Sequence, residues 1–127
     1  MIKINQLHNK VLLIEDNTLT MIILESQFSQ HGYTVVKATD GQLGLEAFMQ
    51  DSYDLVLMDL NIPLISGKQL IQTIRNGQHN SNMPIYAMSA GIDEELGQAL
   101  LKIGFNGFIN KPVKLVHRAE ALFLAGQ

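Results

Sequence analysis

Five short apolar runs recur along the chain: "KVLLIE" (10–15), "YTVVKA" (33–38), "YDLVLMD" (53–59), "MPIYAMS" (83–89) and "FNGFIN" (105–110). They are rich in β-branched or leucine side chains and do not alternate in polarity, as expected of strands covered on both faces in a parallel sheet. Between them, residues 17–31, 41–51, 66–77 and 92–103 place apolar side chains three or four apart, and residues 113–125 add a fifth such segment. That period predicts five helices. His31-Gly32, Asn76-Gly77 and Ile103-Gly104 put a glycine where a helix ends in a left-handed residue, and Pro84 opens a strand. The alternation predicts an α/β fold, a doubly wound (βα)5 parallel sheet with strand order 2-1-3-4-5.

The first helical segment, "NTLTMIILESQFSQHG", carries more apolar residues than one stripe needs. Leu19, Ile23, Leu24 and Phe28 supply the core-facing stripe, while Met21 and Ile22 widen the arc and leave apolar area exposed. Met49, Met58, Met83 and Met88 read as core filler. His8, His31, His79 and His117 have no metal-ligand spacing and read as surface residues.

At 127 residues the chain is expected to form one domain, with residues 1–9 a polar lead-in or linker remnant and residues 10–127 the folded unit. The absence of cysteine excludes disulfides and thiolate metal sites, and the cytoplasm is the expected location. No run approaches the roughly 18 apolar residues of a membrane span, so no membrane contact is expected of this segment. The net charge of -3, with Lys and Arg scattered, supplies no basic stripe for direct nucleic-acid binding.

In an open parallel sheet ligands bind beyond the carboxyl ends of the strands, where the strand order reverses. There stand Glu15 and Asp16 after the first run, Asp59 after the third, Ser89 after the fourth and Lys111-Pro112 after the fifth. The first and third strands are neighbours in this order, which gathers three carboxylates with one lysine nearby. Such a set needs a cation, and an all-oxygen cleft with an open side suits Mg²⁺ and a phosphate oxygen.

These residues, 30 apart from Asp59 to Ser89 and 52 apart from Asp59 to Lys111, resemble the receiver domain of two-component response regulators over roughly residues 10–125. The resemblance implies a flavodoxin-like sheet and a regulatory domain that catalyses its own phosphorylation and dephosphorylation rather than a conventional enzyme. Asp59 would be the phosphoacceptor, taking a phosphoryl group from a histidine of a partner kinase or phosphotransfer domain. Asp16, Asp59 and the backbone carbonyl of Asn61 would bind Mg²⁺ directly, with Mn²⁺ also accepted, and Glu15 would act through water. Lys111, on a cis bond to Pro112, and the Ser89 hydroxyl would hold the phosphoryl oxygens. Ser89 and Phe108 would form the switch that alters the face of the fourth helix, fifth strand and fifth helix, and Asn61 and Gly91 would tune hydrolysis. The histidine donor would dock on the first helix through Met21 and Ile22, and a phosphorylation-dependent homodimer is a further implied partner.

"VLLIEDN" followed by "DLVLMDLNIPLISG" looks more like the receivers of hybrid histidine kinases, although a stand-alone regulator fits the same residues. Two other readings are a pseudo-receiver that works without phosphorylation and an aspartate-nucleophile phosphatase of the haloacid dehalogenase type. The complete acceptor set argues against the first. Asn61, where the second needs an acid/base aspartate, argues against the other.

Overall fold

The computed structural model describes residues 2–3, 10–79, 81–118 and 121–125, with backbone alone for 2–3, 116–118 and 121–125. In chain order the elements are β1 (Ile2–Lys3), β2 (Lys10–Ile14), α1 (Thr18–Gln30), β3 (Thr34–Ala38), α2 (Gly41–Gln50), β4 (Leu55–Asp59), α3 (Gly67–Asn76), β5 (Ile85–Ser89), α4 (Glu94–Ile103), β6 (Gly107–Asn110), β7 (Lys114–Arg118) and β8 (Ala121–Ala125). Five parallel strands lie in the order β3-β2-β4-β5-β6, which is the expected 2-1-3-4-5 once the short β1 is set aside. Four of the five expected helices and all five expected strands are present, with ends shifted by a residue or two.

The uniformly apolar runs divide their side chains between two cores. Leu12, Ile14, Val56, Met58, Ile85 and Ala87 face Phe48 of α2, Leu70, Ile71 and Ile74 of α3 and Leu100 of α4. Val11, Leu13, Leu55, Leu57, Met88 and Ile109 face Met21, Leu24 and Phe28 of α1. The central strand β4 is buried along its whole length and ends on Asp59, whereas the edge strand β3 is partly open to solvent. Each helix opens on a side chain that accepts from a backbone N–H in its first turn: Asn17, Asp40, Ser66 and Asp93. These supply acceptors for donors that the helix leaves unpaired.

The described residues of the expected fifth helix, 113–118 and 121–125, are not helical. Strands β7 and β8 pair antiparallel, and β8 also pairs with β1 in a separate sheet of order β1-β8-β7. The beginning of this segment seals the α1 side of the sheet, with Val113 and Leu115 in the second core. The Gln27 side chain fastens it to α1, donating to the Val113 carbonyl at 3.1 Å and accepting from the Leu115 N–H at 2.6 Å. Of the nine-residue lead-in, Ile2–Lys3 forms β1 and the rest lies outside the described residues.

Helix α1 follows the expected stripe only in part. Met21, Leu24 and Phe28 are buried, while Leu19 (66%), Ile22 (56%) and Ile23 (47%) are exposed. Gln27, one turn beyond Ile23, is half-buried, and its amide is used by the 113–115 backbone. Met58, Met83 and Met88 are core residues as expected, but Met49 is exposed. Gly32 and Gly104 end their helices with positive φ, whereas Gly77 ends α3 in an extended conformation at φ -84°. Of the four histidines, His79 is exposed and His31 half-buried, while His8 and the His117 side chain lie outside the described residues.

Candidate functional site

The carboxyl ends of β2, β4, β5 and β6 converge on one cleft. Glu15 follows β2 directly, its N–H donating to the Ala38 carbonyl at 3.0 Å. Its side chain is buried and accepts from the Asn17 N–H at 3.0 Å, so the same asparagine that caps α1 also orients a carboxylate of the cleft. Asp59 is the last residue of β4 and is buried too. Its Oδ1 accepts from the Asn61 N–H at 2.9 Å, an Asx turn that starts the following loop. That loop is held from the other side by α2: Gly41 donates to the Pro63 carbonyl at 3.0 Å, and a Cβ on Gly41 would stand 2.0 Å from the Ile65 carbonyl oxygen. Only glycine leaves room for that approach.

Glu15, Asp16 and Asp59 each offer a carboxylate oxygen within 4.8 Å of the others; Asp16 is exposed and the other two are buried. Lys111, on the cis bond to Pro112, reaches into this group. Its Nζ donates to Asp59 Oδ2 at 2.7 Å and forms an ion pair with Glu15 Oε1 at 2.6 Å. Burial is the main force raising the Glu15 pKa; Asp59 adds to it, while Lys111 and the Asn17 N–H oppose it. For Lys111, burial pulls downward but the contacts with Asp59 and Glu15 outweigh it, and the net shift is upward.

Three carboxylates thus face one ammonium, and the exposed Asp16 marks the side open to solvent. Oxygen donors with surplus negative charge and a solvent-facing ligand fit a hard divalent cation such as Mg²⁺. The charge surplus has a measurable consequence. A carboxyl whose folded pKa is raised contributes stability below its unfolded pKa and loses it as pH rises through the folded value. Without a divalent cation, Glu15→Gln is therefore expected to gain stability over the wild type progressively as pH climbs from the ordinary glutamate range. Thermal melts across pH check this, and parallel curves for the two proteins would contradict it.

The remaining expected residues surround the cleft at greater range. Ser89 ends β5, half-buried, with its hydroxyl 3.5 Å from its neighbour's Ala90 carbonyl, too long for a strong bond. Gly91 has φ 75° and nothing within 4 Å of where a Cβ would stand. Asn61 is exposed at the rim. Phe108 on β6 lies with its ring against α4, where a Cβ on Gly97 would come within 2.3 Å of it. Beside Lys111 a groove of about 290 Å³ is lined by Thr20, Ile23, Leu24, Lys111, Pro112 and Val113. Two residues about the cleft are not among those the sequence singles out: Asn17, and Asn110, whose side chain bonds the Ile92 backbone beside the end of β6. The first carried a signal in "EDNT", an asparagine placed to cap a helix; the second carried none.

The model of the response regulator receiver domain family matches residues 11–122, and the chain belongs to that family of two-component signalling domains. It is 30% identical to Histidine kinase 5 of Arabidopsis thaliana, covering 89% of this chain and 15% of that protein. The receiver domain of the sensor histidine kinase PA1611 from Pseudomonas aeruginosa, solved with magnesium coordinated in its active-site cleft, superposes with a TM-score of 0.75 at 28% identity, covering 83% of this chain and 86% of that one. The receiver domain of Ssk1, solved with the histidine phosphotransfer protein Ypd1 of Saccharomyces cerevisiae, gives 0.75 at 26% identity, covering 83% and 79%. The chain spans less than half the length of the curated relatives it matches. No helix among the described residues is long and apolar enough to cross a membrane.

Proposed function

We propose that this domain accepts a phosphoryl group on Asp59 from a phosphohistidine of a partner kinase or phosphotransfer protein. The observation that carries the reading is the buried Asp59 held against Lys111 within reach of two further carboxylates. An Asp59 oxygen attacks phosphorus as the phosphorus–nitrogen bond to the donor histidine breaks, and the electron pair of that bond leaves with the imidazole. Lys111 stays beside the oxygens it already touches and offsets charge on the phosphoryl group, and Ser89 turns inward to donate a hydrogen bond. Asp16, Asp59 and the Asn61 carbonyl would hold Mg²⁺ or Mn²⁺, with Glu15 one water further out. When bound, the ion would neutralise charge on the transferred oxygens. The bare Gly91 and the exposed Asn61 leave a water access to the acyl phosphate and so set its lifetime.

The switched face consists of α4 and β6, with Phe108 between them, because no fifth helix stands among the described residues to complete it. Inward movement of Ser89 would free space for Phe108, and the altered face is where two phosphorylated copies would pair.

The donor docks on α1 through Ile22 with Leu19 and Ile23. Met21, expected to join them, is buried and takes no part. Of these, Ile23 lines the groove beside Lys111 and Ile22 lines a second hollow with Glu15 and Asp16, so a helical donor seated on α1 meets apolar surface next to the acceptor cleft. Ile22→Glu is expected to slow transfer from a phosphorylated histidine phosphotransfer protein by about tenfold or more while leaving labelling by acetyl phosphate unchanged. Equal slowing with both donors would contradict the docking role.

A further inference from the structure

At the end of β6 the Asn110 side chain makes two hydrogen bonds to one residue of the facing loop. The Ile92 N–H donates to Oδ1 at 2.6 Å, and Nδ2 donates to the Ile92 carbonyl at 3.1 Å. The next residue ties the near end of that loop, since the Lys111 N–H donates to the Ser89 carbonyl at 3.0 Å. Ser89 and Ile92 thus both hang from the strand end that carries Lys111. Ile92 is anchored a second time by its buried side chain. Between them only Ala90 and Gly91 are exposed, and Gly91 holds the positive φ that lets the chain turn there.

We propose that Asn110 is a positioning residue for the phosphoryl site. It fixes the far end of the Ser89–Ile92 loop to the strand bearing Lys111, confines the movement of Ser89 to the Ala90-Gly91 hinge, and delivers the hydroxyl in register with the ammonium. The proposal rests on reading Asp59 as the phosphoacceptor. A loop held at both ends has little conformational freedom left to lose when Ser89 closes, so more of that hydrogen bond appears as affinity. Alanine can make neither bond to Ile92; the planar carboxamide presents its acceptor and its donor on separate atoms, one for each backbone group.

The test is a beryllofluoride titration with Mg²⁺, followed by amide chemical shifts, in a double-mutant cycle with Ser89→Ala. Asn110→Ala is expected to weaken beryllofluoride binding about tenfold in the wild-type background and less than about twofold when Ser89 is already alanine. It should also speed hydrogen exchange at the Ile92 amide without any Mg²⁺. Equal weakening in both backgrounds would show a merely structural role and overturn the proposal, as would unchanged affinity in Asn110→Ala alone. If Asn110→Ala does not fold, Asn110→Asp, which keeps the acceptor for the Ile92 N–H and loses the donor, is put through the same cycle. A wild-type protein that binds no beryllofluoride would instead overturn the acceptor reading on which the proposal rests.

Discussion

Asp59→Asn is expected to fold as the wild type does and to take no phosphoryl group from acetyl phosphate in the presence of Mg²⁺. The substitution keeps the shape of the side chain and its acceptor for the Asn61 N–H, so the loop geometry survives. What disappears is the anionic nucleophile, because a neutral amide oxygen cannot form a stable acyl phosphate. Lys111 retains Glu15 as an ionic partner, so the substitution leaves no stranded ammonium. It also removes one of the three crowded carboxylates, so the metal-free variant should be at least as stable as the wild type. Intact mass after incubation with acetyl phosphate checks the first expectation, and a fully labelled variant would sink the assignment. A thermal melt checks the second.

The second large effect is expected at Asp16. It is the exposed member of the carboxylate group, so its side chain makes no contribution to the core. Replacing it with asparagine should leave the fold unchanged while weakening Mg²⁺ by about 100-fold, since loss of even an outer-shell partner commonly weakens metal binding 10–100-fold. Labelling of Asp59 should fall in step at low Mg²⁺ and recover in part as the concentration is raised. A Mg²⁺ titration of the metal-dependent amide shifts measures this, and an unchanged affinity would remove Asp16 from the ligand set.

Most of the sheet was legible because its signal is local. Strands buried on both faces are uniformly apolar, and the charges that end them have few reasons to be there, so Glu15, Asp16, Asp59 and Lys111 could be placed at one cleft before any geometry was known. The segment 113–125 was not legible. Its "ALFLA" run is continuous rather than periodic, and a short apolar run fits a strand as well as a buried helix turn, so the spacing alone could not decide. On helix α1 the pattern places Leu24 and Phe28 correctly in the core and misplaces only Leu19, Ile23 and Met21. Leu19, Met21, Ile22, Ile23 and Leu24 are all apolar, so over the first turns of the helix the pattern does not say which of them face the core. Asn110 lies still further from sequence reasoning, because its role depends on which loop backbone faces it across the sheet end.

The central claim is that the cleft directs a phosphoryl group to one carboxylate with the help of a divalent cation. Its most direct test is to incubate the protein with acetyl phosphate, with and without Mg²⁺, trap the acyl phosphate by reduction and locate the modified residue by peptide mapping. The account predicts a single modification at Asp59 that is lost when Mg²⁺ is chelated. Modification at another residue, or equal labelling of Asp59 in the absence of any divalent cation, would contradict it.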